Sequence, residues 1–315
     1  MKKLKALLLT EGMHGMISQV EGMAKALNAE YSHKIVRLSF PWNLIPPKFT
    51  PASQIVLKDK IYITENETPD LIISCGRKSV IPSIFLKRKN SKIFTIHVQN
   101  PKVNFKNFDV IVAPEHDNLK GDNIYSSKGA IHYITEIEIN KAKQYLVDKI
   151  KSDKTVSLIL GGPNKYYSFD SNQIVNIFNQ IKSIFVSDGY KVIIIPSMRT
   201  PKKIIDLAER EMSSCGYVVN KVDKQAYLSA YALANYVIVT CDSTSMISEA
   251  ATSGKPIFVA HMKPKKNNYR FKKFFKLFRE MGITRDLGEK VEPWTYNKHN
   301  EADRIGNLIR NKIKN

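Results

Sequence analysis

The chain has 315 residues, 43% of them apolar, enough to build cores for about two domains of ordinary size. Its 49 Lys and Arg against 29 Asp and Glu give a formal net charge of +20, which favours anionic partners unless it only mirrors a Lys-, Ile- and Asn-rich composition. Three scattered cysteines (Cys75, Cys215, Cys241) argue against a disulfide framework, and no apolar run approaches the ~20 residues of a membrane span.

The start, MKKLKALLLTEG, has a basic tip, but its ALLL run is shorter than the roughly 7–15 residue core of a targeting signal, so it reads as a first buried strand. Apolar runs predict strands over 4–9, 34–38, 70–74, 92–98 and 109–113, with a helix over 18–27 carrying Val20, Met23, Ala24 and Leu27 on one face. The stretch 135–154 is charged, helix-prone and free of Gly and Pro, which marks a seam. Beyond it the pattern repeats, with strands over 156–160, 192–195, 217–219, 236–239 and 256–260, a helix over 173–185, and a final helix over 300–313. Near-continuous apolar strands separated by helices indicate parallel sheets covered on both faces. The expectation is two doubly wound α/β domains facing a cleft: 1–134, a linker helix 135–153, 154–295, and a C-terminal helix 296–315.

Ligands of open α/β sheets sit outside the carboxyl ends of the strands, so the strand-to-helix turns carry the candidate sites. In the second half, Gly161, Gly162 and Pro163 follow one strand, and Ser197 and Arg199 follow the next. Glycines let backbone approach a diphosphate, or they simply serve a tight turn. Arginine forks onto phosphate oxygens, or lies on the surface. The run TCDSTSMISEAATSGKPIFVA opens on Asp242 and Ser243, both good helix caps, and stops at Gly254. Capping explains one or two hydroxyls. The succession Ser243, Thr244, Ser245 at a helix mouth suits a phosphate, and Glu249 further in suits two vicinal hydroxyls of a ribose. The plainer alternative is a capped helix with an exposed glutamate.

In the first half, which is expected to bind the acceptor through Gly15, Gln19, Gly76, Arg77, Gln99 and Asn100, Gly76 and Arg77 open a helix after a strand as an anion or acceptor site, and Gln99 and Asn100 close another strand with amides suited to sugar hydroxyls or to an Asx turn. Glu115 and His116 form a pair in which a carboxylate can orient a general base, and His14 competes for that role; a structural hydrogen bond is the alternative for both histidines. The absence of Asp-x-Asp leaves no dedicated divalent-metal site and no expected cofactor.

The Glu249 run resembles the nucleotide-sugar motif of GT-B glycosyltransferases, with a ribose-binding Glu and a following Gly254-Lys255-Pro256; it departs where Ser243 and Thr244 replace a glycine and a small residue. A wider match covers nearly the whole chain through HGMISQVEGMAKAL, PDLIISCGRKS, HVQNPKVNFKNFDVIVAPEHDNLKG, LILGGPNKYY, IIIPSMRTP, TCDSTSMISEAATSGKPIFV and VEPWTY. These resemble the mitochondrial-fission "elongated mitochondria" family. The resemblance implies a GT-B-like fold of two Rossmann-like domains and, in plants, recruitment of a division dynamin; it anchors on Gly15, Met16 and Gln19. No Gly-x-Gly-x-x-Gly with a Tyr-x-x-x-Lys pair supports the sugar-epimerase label sometimes given to the family.

Two segments bear on membranes. In KPKKNNYRFKKFFKLFREMG, Phe271, Phe274, Phe275 and Phe278 recur at helical spacing among basic residues, either covering a core or lying on an anionic surface. FPWNLIPPKF, residues 40–49, is an apolar proline-rich loop suited to lipid or an acceptor. No zinc-finger, RNP-like or helix-turn-helix signature supports nucleic-acid binding. The expected function is a metal-independent glycosyltransferase taking a nucleotide-sugar donor and an envelope or lipid-linked acceptor, in the cytoplasm or peripheral on an inner membrane face. The alternative is a non-enzymatic adaptor that recruits a protein partner to a membrane.

Overall fold

A computed structural model describes residues 3–64 and 67–313. It divides into two compact units, Met1–Tyr133 with Asn300–Asn315, and Ile134–His299. The stretch 135–153, expected as a separate linker, counts within the second unit. The 300–315 end of the C-terminal segment counts within the first.

In the first unit, β1 (Lys5–Thr10), α1 (His14–Ala26), β2 (Glu30–Ile35), β3 (Leu71–Cys75), α2 (Val80–Lys89), β4 (Phe94–Val98), β5 (Val110–Pro114) and β6 (Ile124–Ser127) build a parallel sheet of order β2-β1-β3-β4-β5-β6. The central strands are buried along most of their length, which is why they read as apolar runs. The second strand departs from expectation. It runs Glu30–Ile35 as an exposed edge, while the apolar Val36 and Leu38 lie beyond it, buried against the sheet. The edge strand β6, IYSS, is too short and polar to announce itself.

The second unit opens on α3 (Glu136–Ala142), started by a capping box of Thr135 and Glu138, and α4 (Val147–Ile150). There follow β7 (Thr155–Leu160), α5 (Ser171–Ile181), β8 (Lys191–Pro196), α6 (Lys202–Met212), β9 (Gly216–Val218), α7 (Lys224–Leu233), β10 (Tyr236–Thr240), α8 (Thr244–Ala251), β11 (Ile257–Ala260), α9 (Tyr269–Glu280) and β12 (Thr284–Asp286). Its all-parallel sheet has the order β12-β11-β10-β7-β8-β9. Counted within the unit this is the dinucleotide-fold order, whose direction reverses between β7 and β10. The chain then returns to the first unit as α10 (Glu301–Ile313). Ile305 and Ile309 of α10 join the core of α1, and a Cβ at Gly306 would stand 2.7 Å from that of Ala26.

Helix α9 turns its aromatic stripe inward. Phe274 and Phe278 are buried with ring centroids 4.1 Å apart, Phe271 packs edge-on to Tyr166 and Tyr167, and Phe275 meets His261. The core-covering reading of this basic helix is the one the structure shows.

Candidate functional site

Each sheet reverses its strand order once, and a polar cluster sits at each reversal. In the second unit the adjacent strands are β7 and β10, whose carboxyl ends lead into Gly161–Gly162 and into Cys241–Ser243. The hub is Asp242, a fully buried carboxylate. Its Oδ2 accepts from Gly162 N at 2.9 Å and from an Arg199 guanidinium nitrogen at 2.8 Å, and its Oδ1 accepts from the Thr240 hydroxyl at 2.7 Å. Burial pushes the Asp242 carboxyl above the usual range, while the Gly162 N–H, the Arg199 charge and the Thr240 hydroxyl pull it back.

Arg199, with 40% of its side chain still exposed, braces this arrangement. Its second terminal nitrogen donates to Gly162 O at 2.7 Å, so the guanidinium clamps the glycine turn to Asp242. Ser197 and Thr200 brace the same turn, with Thr200 donating to Gly161 O at 2.6 Å and Arg199 N donating to the Ser197 hydroxyl. Space dictates both glycines. A Cβ at Gly161 would lie 2.1 Å from Asp242 Oδ2, and one at Gly162 2.0 Å from Arg199 O. Pro163 is exposed at the outer side of the turn.

Ser243 is the N-cap of α8, its hydroxyl accepting from Met246 N at 3.3 Å; Thr244 and Ser245 form the first helical turn, and Ser245 is exposed. Glu249 lies further along the helix, about 9 Å from the cap at 1.5 Å per residue. It is partly buried and accepts from the Tyr227 hydroxyl of α7, which in turn receives the Tyr231 hydroxyl at 2.6 Å. Burial lifts the Glu249 carboxyl from 4.5 to about 7, against the opposing pull of Tyr227. Near neutral pH this residue exchanges a proton readily.

The first unit reverses between β1 and β3. Glu11, just past β1, accepts from Lys78 N at 3.0 Å and pairs with Lys78 Nζ at 3.3 Å. Gly76 takes φ +94°, and a Cβ there would stand 2.7 Å from Met16 Sδ. Gln19 of α1 accepts from Gln99 Nε2 at 3.1 Å and from the Cys75 thiol at 3.3 Å. Gln99 itself holds φ +86°, a conformation costly for a side-chain-bearing residue and found where surrounding structure imposes it. Burial, with Glu11 nearby, pushes Cys75 up to about 12, which holds the thiol in its protonated form near neutral pH.

Other candidates stand apart from this cluster or serve the backbone. Arg77 donates to the carbonyls of Asn43 and Ile45 and so anchors the 40–49 loop. Asn100 closes an Asx turn on Lys102 N at 2.9 Å. Gly15 has open space around it, and His14 is exposed at the start of α1 with its ring edge-on to Tyr133 at 6.2 Å. Glu115 is exposed in a short 3-10 turn after β5; the His116 side chain lies outside the described residues. Sequence reasoning missed the roles of Glu11, Asp242 and Tyr227. Asp242 has a visible signal, an acid next to a strand end, but in the sequence it reads only as a cap. Among the described residues no group of three or more His, Cys, Asp or Glu is placed to hold a metal ion.

Comparison with solved structures gives the fold. The UDP-GlcNAc 2-epimerase of Neisseria meningitidis bound to UDP-GlcNAc matches with TM-score 0.54 at 12% identity, over 99% of this chain and 94% of that one. The UDP-GlcNAc 2-epimerase of Methanocaldococcus jannaschii matches with TM-score 0.51 at 14% identity, over 97% and 99%. At such identities the likeness shows a GT-B-like architecture and no more. Among related sequences, an uncharacterized protein of Rickettsia prowazekii is 25% identical over 92% of this chain and 94% of its own length. The mitochondrial fission protein ELM1 of Arabidopsis thaliana is 24% identical over 79% of this chain and 65% of its own. The family model "Mitochondrial fission ELM1" matches residues 14–313, nearly the full chain, and the chain belongs to that family.

Proposed function

We propose that this chain is an adaptor on a GT-B-like scaffold, which recruits a protein partner to a membrane face without catalysing sugar transfer. The observation that carries this reading is the Arg199–Asp242 pair. The cation and the Gly162 N–H that would meet a sugar diphosphate are taken up by a carboxylate of the protein itself. A phosphate arriving there would have to displace a buried, triply bonded anion. Membership of a family named for fission, shared with the Arabidopsis protein, points the same way. Affinity capture with the full chain tests it: a stoichiometric partner retained equally by wild type and Glu249→Ala is expected, and loss of that partner in the variant refutes it.

The second reading is a metal-independent glycosyltransferase taking a nucleotide-sugar, with Glu249 on the ribose, Ser243–Ser245 and Gly161–Gly162 near the diphosphate, and the Gln19–Gln99–Gly76 cluster of the first unit near the acceptor. His14 and the Glu115–His116 pair are its candidate bases. Glu249 favours it, because a carboxylate held by a single tyrosine keeps acceptor capacity for two more hydroxyls. The proteins of like fold that bind UDP-GlcNAc lend it a scaffold. Calorimetry with UDP-, GDP-, CMP- and ADP-sugars decides: heat with one donor, abolished by Glu249→Ala, establishes this reading, and no heat with any removes it. Both readings expect a protein working at a membrane face from the cytoplasm. Among the described residues no helix is long and apolar enough to cross a membrane.

A further inference from the structure

Between β2 and β3 the chain makes a compact excursion. Residues 37–39 pair with 56–58 through the Leu38–Leu57 bridge, Ser39 N to Val56 O at 2.9 Å, and Lys58 N to Arg37 O at 2.9 Å. The intervening chain folds into two 3-10 turns, Pro47–Phe49 and Gln54–Val56. Its inner side is fixed. Leu38, Val56, Leu57 and Ile61 are buried in the sheet's core, Trp42 packs against them, and Arg77 grips the carbonyls of Asn43 and Ile45.

Several large apolar side chains of this excursion are exposed. Phe40 is 80% exposed, Leu44 71%, Phe49 66%, Ile55 71% and Tyr62 75%. The Ser39 hydroxyl donates to Ile55 O and ties the two arms of the excursion together. Water-facing surfaces seldom carry so many large apolar groups on one segment. Exposed groups of this kind serve either as anchors for a partner's pocket or as tips that enter a bilayer, and the charge beside them separates the two. Lysines accompany them: Lys48 lies over the Phe49 ring at 4.5 Å, and Lys58 and Lys60 follow Ile55, while Arg37 is neutralised by Asp59 at 3.0 Å. Protruding aromatic and aliphatic groups with lysines around them fit the interface of an anionic bilayer, where apolar tips enter between headgroups and ammonium groups meet phosphates.

We propose that the 39–62 excursion docks the protein onto an anionic lipid surface through Phe40, Leu44 and Phe49, with Lys48, Lys58 and Lys60 as its electrostatic rim. This rests on the membrane half of the adaptor reading and names the surface that performs it. Helix α9 is not the lipid contact, since its phenylalanines are turned into the core.

The test is co-sedimentation of the full chain with vesicles of phosphatidylcholine alone and with phosphatidylglycerol added. The wild type is expected to bind the anionic vesicles at low salt and to release as salt rises. The triple variant Phe40→Ser, Leu44→Ser, Phe49→Ser is expected to bind at least about tenfold more weakly at the same charge. Replacing Lys48, Lys58 and Lys60 by Gln is expected to weaken binding by about fivefold per lysine. Replacing Lys272 and Lys273 of α9 by Gln is expected to matter less than the loop lysines. The loop positions and Lys272 are exposed, Lys273 is half-buried over the Tyr269 ring, and unchanged circular dichroism certifies the variants. A Phe49→Trp variant adds a direct readout, its indole emission shifting to the blue on anionic vesicles. No sedimentation of the wild type at low salt, sedimentation of the serine variant at wild-type level, or an unshifted emission from the Phe49→Trp variant overturns the proposal. Loss of a protein partner by the serine variant with vesicle binding intact also overturns it. Vesicle binding without any captured partner removes only the adaptor reading.

Discussion

Glu249 offers a sharp thermodynamic test. In the unfolded chain its carboxyl titrates at 4.5, and in the folded protein burial moves it to about 7. Between those values the folded form holds a proton that the unfolded form has lost, so stability falls as pH rises. The contribution is intact below about pH 4.5, declines toward pH 7 and is flat above. A displacement of about 2.5 pH units is worth ~3 kcal/mol, and solvent contact of this partly buried side chain trims it to ~2 kcal/mol. The perturbation is Glu249→Gln, which keeps a carbonyl acceptor for the Tyr227 hydroxyl and cannot titrate. Urea melts of both proteins at about pH 5 and about pH 8 should show them nearly equal in acid, with the variant more stable by ~2 kcal/mol in base. The effect belongs to the unit that contains α8, so it should move only that unit's transition if the two separate. A wild-type minus variant difference that ignores pH, or a variant less stable at pH 8, would refute the placement of Glu249 against Tyr227.

Four further outcomes can be checked by urea melts, the last of them carried to acid pH. Gly162→Ala puts a methyl 2.0 Å from Arg199 O and should cost about 3 kcal/mol, whereas Gly15→Ala, in open space at the start of a helix, should be neutral or stabilising by up to about 1 kcal/mol. Phe274→Ala should lose ~3–5 kcal/mol, since the ring is buried against Phe278; a loss under about 1 kcal/mol would return α9 to the surface. Burial pushes His97 down to about 3, so unfolding takes up a proton below its ordinary 6.5; the His97 contribution to the first unit's stability, complete above that pH, should fall by about 1.4 kcal/mol per pH unit until about pH 3 and be flat below.

What the sequence disclosed follows burial. Central strands such as Val237–Val239 are covered on both faces and must be apolar in a run, so they are legible one by one. Edge strands answer to solvent instead. Thr284–Asp286 pairs only through β11 and its residues Thr-Arg-Asp carry no periodic signal, and Glu30–Ile35 is masked by the stronger apolar signal of Val36 and Leu38. The turns that end in glycine or a hydroxyl are legible as turns. Their partners are not, because a pair such as Arg199 with Asp242 spans 43 positions and nothing local identifies it. Arg77 and Asn100 show the same limit: each looks free for a ligand in the sequence, and each is bonded to backbone in the fold.

The Arg199–Asp242 pair also changes what the glycines mean. In an anion-binding turn, glycine lets backbone come close to a bound phosphate. Here the space a Cβ would need at Gly161 is filled by the Asp242 carboxylate, and at Gly162 by the Arg199 backbone. The protein's own groups suffice to require both glycines, so their presence is not evidence for a phosphate. The same holds for Ser243, whose place at the helix mouth is accounted for by its hydroxyl oxygen accepting from Met246 N to cap α8. What remains without an internal account is the open acceptor capacity of Glu249 and the strained backbone of Gln99, one in each unit. Within the second unit alone, an anion turn closed on Asp242 beside a Glu249 with spare acceptor capacity leads the adaptor reading to expect neutral hydroxyl or amide groups there ahead of a departing diphosphate. Ligand trials should therefore include unphosphorylated sugars and peptides beside the nucleotide donors, and a response confined to the donors would reverse this ordering.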